Sequence, residues 1–353
     1  MQILVVGKGS RAFGFDDLVA AMRPLGHELI DASRTVGPLR GDALLLLGFE
    51  NWYLDAPLEL LNQAAAAGLP RILWQFEPLL PPGLPALTCP LVARDATATA
   101  RGPVAKLGMT DQVAQGFRVA RLLVAARRQS WGSSLFSPHV FKYPIGQSRG
   151  IAALWYRGLL DHILVSLRSR ASFLCELGIP STFVPIGYTP VLGRSLRHGD
   201  RDIDVLFFGQ VSSRRRRLLD RIDAALRQAG YKLKVIERDC YGDDRTAVLN
   251  RSKIVINLHK FPWEFAGQRL LMAMSCRALV VSEWAPDTSP YKHGEHLFTA
   301  KLEELPEILV TLLRDQRRRE AVAEAGYQFA TTQLPIERLL PAALEAIVSK
   351  TIP

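Results

Sequence analysis

The sequence predicts an α/β protein of two Rossmann-like units in tandem, each a parallel sheet with helices on both faces. Three observations lead there. Short apolar runs alternate with helical patterns along the chain, and β-α-β-α order implies parallel strands joined by covering helices. Runs such as Leu44-Leu45-Leu46-Leu47 are apolar without alternation, as strands buried on both faces must be. The chain has 353 residues, long for one core and comfortable for two ordinary domains.

In the N-terminal half, strands are expected over residues 2–6, 27–31, 43–47 and 71–75, with helices over 15–25 and 57–67. The rhythm fails over 97–147. There an Arg-rich helical stretch (116–128) precedes a Gly/Ser/Pro-rich segment (131–147), and the region reads as an insertion. A strand at 162–166, a helix at 169–177 and a strand at 182–185 follow. The polar stretch 189–201, with Pro190 and Gly193, reads as a linker. An N-terminal domain is therefore expected over 1–192 and a C-terminal one over 200–334. The second has strands at 203–208, 232–236, 253–258 and 278–282, and helices at 214–229, 243–250, 267–275, 302–314 and 317–331. A final helix occupies 335–349, within a terminal segment 335–353. Two such units leave a cleft between them.

Apolar residues make up 48% and charged residues 22%, which is globular usage and excludes a disordered chain. The longest apolar runs are too short to cross a bilayer. Residues 1–7 run directly into a strand pattern, so no secretion signal is expected. Cys89, Cys175, Cys240 and Cys276 are widely spaced with no C-x-x-C pair. Neither a disulfide framework nor a zinc site is implied, and a reducing cytoplasm is the expected compartment. A net charge of +10 attracts phosphates, nucleic acids or anionic membranes without choosing among them, and also suits a basic, solvated surface.

Three segments carry candidate chemistry. Gly7-Lys8-Gly9-Ser10-Arg11-Ala12 follows a strand and matches the G-x-G-x-x-A dinucleotide fingerprint, with Asp31 near the end of the next strand. The readings are a dinucleotide site, a glycine loop lining the cleft, or a tight turn. Gly209-Gln210-Val211-Ser212-Ser213 leads into Arg214-Arg215-Arg216-Arg217. Ser212 or Ser213 suits a helix N-cap. Four arginines oppose the helix dipole, an arrangement an anion bound there would offset. One of Arg214 and Arg215 is the expected phosphate contact. The third segment has a buried strand ending in Asn257 and His259, two apart and so on one face. Glu264 and Arg269 follow, and the neighbouring strand ends in Ser282 and Glu283, before a loop carrying Lys292. Ligands of open α/β sheets bind outside these carboxyl ends. The local alternatives are a satisfied buried amide at Asn257 and an ion pair of Arg269 with Glu264 or Glu283.

From about Asp204 to Ala330 the chain resembles the C-terminal domain of GT-B glycosyltransferases, in the retaining, glycogen-synthase-like and spore-maturation-protein-like branch. The similar pieces are Phe207-Phe208-Gly209, the stretch from Ile254 to Met274, Leu279-Val280-Val281-Ser282-Glu283 and the helices around Leu312-Leu313-Arg314-Asp315. The N-terminal half is similar more loosely, at Trp74-Gln75-Phe76-Glu77 and from Gly178 to Tyr188. The resemblance implies that Glu264 is the first glutamate of the family's two-glutamate motif, near the donor sugar. The second, which holds the donor ribose, falls at Met272, and the glycine usual after the helix is Arg277. Glu283 is the candidate replacement on the ribose.

The resemblance implies metal-independent transfer of a sugar from a nucleoside-diphosphate sugar, with no tightly bound cofactor. Arg214 or Arg215, with Arg269 and Lys292, would meet the charge growing on the leaving diphosphate. Glu264 would orient the sugar, with Gly209, Asn257, His259, Ser282 and Glu283 forming the donor pocket. Gly7, Gly9 and Glu77 are assigned to the acceptor side. Asp16, Asp17, Glu50 and Glu77 are candidate bases. No D-x-D-like metal pair stands at a strand end, and Asp243-Asp244 reads as helix capping. The final helix is expected to return to the N-terminal domain as a hinge clamp. The acceptor stays open among glycans, lipid-linked compounds, small molecules and peptides; no nucleic-acid partner is expected. Arg118, Arg121, Arg127 and Arg128 form a solvated helix face or a peripheral membrane contact. Two alternatives remain: a nicotinamide- or flavin-dependent enzyme using Gly7–Ala12, and a catalytically silent relative binding a glycan or partner.

Overall fold

The computed structural model describes residues 1–7, 9–10, 13–48, 57–81, 142–196, 201–261, 263–265 and 267–351. The chain divides into two compact units, Met1–Val184 with Leu340–Pro353, and Pro185–Leu339.

The first unit contains β1 (Gln2–Val6), β2 (Gly9–Ser10), β3 (Phe13–Gly14), β4 (Glu28–Asp31), β5 (Ala43–Gly48), β6 (Arg71–Gln75), β7 (His162–Val165) and β8 (Ser181–Phe183). Six of these form a parallel sheet in the order β4-β1-β5-β6-β7-β8. The described helices are α1 (Phe15–Met22), α2 (Leu58–Ala66), α3 (Lys142–Tyr156) and α4 (Arg168–Glu176). β5 is buried at every position, as its unbroken apolar sequence requires of a strand covered on both faces.

Two expectations change here. In a dinucleotide fingerprint the helix opens within the glycine run. Here the antiparallel pair β2–β3 intervenes and α1 starts only at Phe15. Asp31, the candidate ribose ligand, accepts from the Ser33 backbone N–H at 3.0 Å and pairs with Arg34. The segment 131–147 was read as irregular, yet the chain is helical from Lys142 onwards. Pro144 falls in the first turn of α3, where its missing N–H costs nothing. Burial of Ile145, Ile151 and Leu154 outweighs the ~1 kcal/mol that each internal glycine costs. Residues 97–141, including the Arg-rich stretch, lie outside the described residues.

The second unit contains β9 (Ile203–Phe208), β10 (Leu233–Ile236), β11 (Ser252–Asn257), β12 (Leu279–Glu283) and β13 (Phe298–Ala300). All pair in parallel, in the order β10-β9-β11-β12-β13. The helices are α5 (Ser213–Gln228), α6 (Gly242–Asn250), α7 (Gly267–Ser275), α8 (Leu305–Arg314), α9 (Gln316–Gln328) and α10 (Ile336–Thr351). From Leu340 onwards α10 groups with the first unit. Val205, Phe207, Ile254, Ile256 and Val281 of the strands pack on Leu218, Ile222 and Leu226 of α5 and Leu305 and Leu309 of α8. β13 was not anticipated, because three residues are too few to display a period. The polar stretch read as a linker belongs to this unit: the Asn250 side chain accepts from Leu196 N–H and donates to the Arg194 carbonyl, each at 2.9 Å.

Strand order fixes where a ligand can enter. The chain leaves β9 for β10 on one side and reaches β11 on the other. Connections therefore diverge above the carboxyl ends of β9 and β11, opening a crevice at that switch point. None of the described helices is long and apolar enough to cross a membrane.

The strand-like segment at Tyr188 is clamped to the start of α10. Tyr188 N–H donates to the Leu334 carbonyl at 2.6 Å, and Ile336 N–H to the Tyr188 carbonyl at 2.9 Å. A Cβ on Gly187 would lie 2.4 Å from Ile336 Cα. Gly187→Ala is expected to destabilise the protein by about 1–3 kcal/mol, measured by chemical denaturation.

Candidate active site

The switch point of the second sheet gathers most of the candidate residues. β9 ends at Phe208, and Gly209 follows with φ +115°. A side chain there would place Cβ 2.8 Å from Arg269 Nη2. Glycine is thus required twice, for its backbone angle and because the Arg269 guanidinium lies against it. Arg269 comes from the first turn of α7 and donates to Asn257 Oδ1 at 2.9 Å. Asn257, the last residue of β11, donates through Nδ2 to Ser282 Oγ at 2.9 Å. Ser282 Oγ donates to the Glu283 carbonyl at 2.9 Å and lies 3.3 Å from His259 Nε2.

The helix following Gly209 supplies two further guanidinium groups. Ser212 is the N-cap of α5, its hydroxyl accepting from the Arg215 N–H at 3.3 Å. Of the four consecutive arginines, Arg214 and Arg215 are buried and Arg216 is exposed, paired with Glu237. This split follows from the 100° between successive helix positions. Arg214 forms a two-point pair with Glu283, with Nη1 to Oε2 at 3.0 Å and Nη2 to Oε1, and also donates to the His259 carbonyl at 3.1 Å. The His259 N–H donates to Glu283 Oε2 at 3.0 Å. Arg215 donates to the Gln210 and Leu258 carbonyls at 2.8 and 2.7 Å.

The partners decide the electrostatics. Arg214 has a carboxylate; the hydrogen-bond acceptors of Arg215 and Arg269 are all uncharged oxygens. Burial, and then neighbouring Arg214, push Arg215 down to about 10. Burial, and then Arg215, push Arg269 down to about 9. Both remain charged at neutral pH. Burial foremost holds His259 at about 4, so its ring is neutral. Among the described residues, Arg215 and Arg269 thus form no ion pair, beside the positive end of α5.

The other predicted residues are less tightly gathered. Glu264 is buried in the loop between β11 and α7, its N–H donating to the Phe261 carbonyl at 3.0 Å. Phe265 next to it packs edge-on to His259. The alternative of an Arg269 ion pair with Glu264 or Glu283 is not what the structure shows: Arg269 bonds Asn257, and Glu283 takes Arg214. Lys292 is exposed and pairs with Glu295 at 3.3 Å, away from the network's hydrogen bonds. Asp243 and Asp244 lie in the first turn of α6 but do not cap it; the N-cap is Tyr241. Sequence reasoning missed Trp284. It follows Glu283, stays exposed, and donates its backbone N–H to the Ala300 carbonyl at 2.8 Å. A tryptophan directly after the Ser282-Glu283 pair that ends an apolar run was the available signal.

In the first unit, Gly7 has φ +113° and a Cβ there would meet the Leu47 carbonyl at 3.0 Å. Gly9 lies in β2, opposite Gly14. Glu77 follows β6, its carbonyl accepting from Gln75 Nε2 at 3.0 Å. Gln75 also donates to Gln147 Oε1 at 3.0 Å. Among the candidate bases, Asp17 accepts from the Gly14 N–H at 2.8 Å and so caps α1, Asp16 is exposed, and Glu50 lies outside the described residues. No cluster of three or more His, Cys, Asp or Glu suited to a metal occurs among the described residues.

Two measurements test the network. Glu283→Gln leaves Arg214 buried beside a neutral partner and is expected to cost about 3–5 kcal/mol of stability, read by denaturant unfolding. His259 binds a proton more weakly folded, at about 4, than unfolded, at 6.5. Its contribution is complete above pH 6.5 and is lost as pH falls toward 4. The loss is at most about 3 kcal/mol. It should shrink in His259→Gln in pH-dependent melts.

Residues 210–338 match the family described as glycosyl transferase-like. No curated protein matches the chain by sequence. Among solved structures, sucrose-phosphate synthase from Thermosynechococcus elongatus is similar at 9% identity and a TM-score of 0.54, covering 99% of this chain and 98% of that one. Anabaena HepE, in complex with UDP and glucose, is 14% identical with a TM-score of 0.48, over 99% and 100% of the two chains. The pneumococcal O-GlcNAc transferase GtfA, in complex with UDP and GlcNAc, is 12% identical with a TM-score of 0.42. That match covers 56% of this chain and 46%, less than half, of GtfA. The chain thus has the two-sheet α/β architecture of the GT-B fold, and residues 210–338 are similar to the glycosyl transferase-like family.

Proposed function

We propose that the chain transfers a sugar from a nucleoside-diphosphate sugar to an acceptor hydroxyl or equivalent group, without a divalent metal, and that the diphosphate docks at the switch point of the second sheet. The observation that carries this is the surplus of cationic charge there. Arg215 and Arg269 are locked in place by uncharged acceptors beside the N-terminus of α5. An anion restores the balance, and preorganised donors of this kind stabilise charge as it develops.

In the reaction the bond from the sugar's anomeric carbon to the phosphate oxygen breaks, and its electron pair stays on the diphosphate. A bond from the acceptor oxygen to that carbon forms, and the acceptor proton passes to a base. Arg215 and Arg269 meet the growing phosphate charge. Arg214 acts by holding Glu283 and the His259 carbonyl, and is a positioning residue rather than a direct phosphate contact. Glu264 orients the sugar hydroxyls, and exposed Trp284 offers a ring face to sugar or base. Lys292, exposed and paired with Glu295, is assigned to turn to the phosphates. Asn257, His259 and Ser282 fix the Arg269 guanidinium. Acceptor binding is assigned to the first unit around Gly7, Gly9 and Glu77.

The test is a thermal-shift panel of UDP, GDP and dTDP against NAD and NADP. Stabilisation by at least one nucleoside diphosphate is expected, by about 2–3 kcal/mol at a hundredfold excess over Kd. Arg269→Lys keeps the charge but not the planar donor set, and should lower this binding about tenfold or more. Glu264→Ala should abolish turnover while leaving nucleotide binding largely intact. Stabilisation by NAD or NADP alone, or full activity in both variants, would overturn the assignment.

A further inference from the structure

A second cationic site lies at the opposite, N-terminal edge of the same sheet. It begins with a backbone anomaly. Helix α7 ends with the Ala278 N–H bonded to the Ala273 carbonyl at 3.0 Å and the Arg277 N–H to the Met274 carbonyl at 2.9 Å. This double bond pattern needs a left-handed residue at the position usually given to glycine. Here it is Arg277, with φ +55°. A non-glycine residue in that region costs about 1 kcal/mol or more. Such a cost is retained where the side chain has a task.

The Arg277 side chain lines a pocket of about 370 Å³ together with Arg201, Lys253, Gln316, Arg319 and Glu320. Four cations face one carboxylate. Lys253 is paired with Asp204 at 2.7 Å, and Arg277 with Glu324. Among the described residues, Arg201 and Arg319 have no such partner. Arg201 donates to the Leu249, Ser252 and Cys276 carbonyls at 3.2, 2.6 and 2.9 Å. Arg319 is buried and uses Nη1 alone, donating to the Leu312 and Leu313 carbonyls at 2.9 Å each. Carbonyls fix both guanidinium groups without cancelling their charge. Arg277 Nε is enclosed with no hydrogen-bond partner among the described residues. Gln316 and Arg319 also lie in the first turn of α9, whose N-cap carboxylate, Asp315, accepts from the Arg318 N–H at 2.9 Å. A tetrahedral dianion takes donors from several directions, and this pocket offers them from four separate segments of the chain.

We propose that this pocket is a second anion site, taking inorganic phosphate or a phosphate monoester, with Arg277 as its specificity residue. It is separate from the switch point, because the length of β12, about 13 Å for Leu279–Glu283, lies between Arg277 and the Glu283 network. Occupancy would tie α9, the α7–β12 turn and the start of β9 to a single ligand.

The experiment is calorimetric titration of inorganic phosphate at constant ionic strength into the wild-type chain and Arg277→Gly. Glycine suits the left-handed angle, so the fold is kept. Phosphate affinity is expected to fall about tenfold or more in the variant, as loss of a charged donor implies. Nucleoside diphosphate binding should be unchanged, so failure here leaves the donor assignment standing. Ribose 5-phosphate and vesicles containing phosphatidic acid separate a soluble ligand from a lipid headgroup. Arg277-dependent binding to either sustains the site. Equal phosphate affinity in the two proteins, or no phosphate binding by the wild type at millimolar concentration, would overturn the proposal.

Discussion

The C-terminal unit is organised around guanidinium groups enclosed where two parallel strands diverge. Arg214, Arg215 and Arg269 come from two helices, yet their hydrogen bonds end on β11, β12 and the Gly209–Gln210 turn. Removing such charges from water is expensive unless each donor finds an acceptor. Carbonyls of residues 210, 258 and 259, Asn257 Oδ1 and the Glu283 carboxylate supply acceptors for the Nη groups, while the buried Nε atoms of Arg215 and Arg269 have no hydrogen-bond partner among the described residues. The arrangement satisfies geometry without neutralising charge. Arg215 and Arg269 are thereby held by uncharged oxygens, which is the feature that the proposed diphosphate site rests on.

That constraint also explains the local sequence. Gly209 must lack a side chain because a guanidinium occupies the space. Asn257 must be an amide, since it accepts from Arg269 with its oxygen and donates to Ser282 with its nitrogen. Glu283 must be acidic because it receives both nitrogens of Arg214 and the His259 N–H. The apolar bodies of β9, β11 and β12 allow polar residues at their ends and nowhere else. Val255 and Val280, one strand apart in register, are as fully buried as Asn257 and Ser282 but have nothing to bond.

Much of the architecture was readable because both sheets are parallel and doubly covered. Such strands are continuous apolar runs, and helices between them carry a distinct period. What was unreadable is equally physical. β13 has three residues, and α3 contains a proline and two glycines whose cost is met by burial elsewhere in the chain. At the site, strand ends identified Asn257, His259, Ser282 and Glu283 as one group. Partner choice was not legible. Arg214 and Arg269 have the same side chain, and only the fold shows that one meets a carboxylate and the other an amide. Strand order was equally hidden, and it alone distinguishes the crevice at β9 and β11 from any other pair of strand ends.

The two departures from the resembled pattern now separate into different kinds. Met272 is buried in α7, and its carbonyl accepts from Ser275 Oγ at 3.0 Å. A methionine there removes a carboxylate and replaces it with an apolar side chain, which lets α7 pack as an ordinary buried helix. Arg277 does the reverse. It adds a charge where the backbone favours no side chain at all, and places it at the opposite edge of the sheet. One substitution lowers the local cost of burial and the other raises the cost of the turn. The first needs no ligand to account for it. The second gives its guanidinium an ion pair with Glu324 and a place over the Tyr327 ring, 3.8 Å from its centroid, while its enclosed Nε has no hydrogen-bond partner among the described residues.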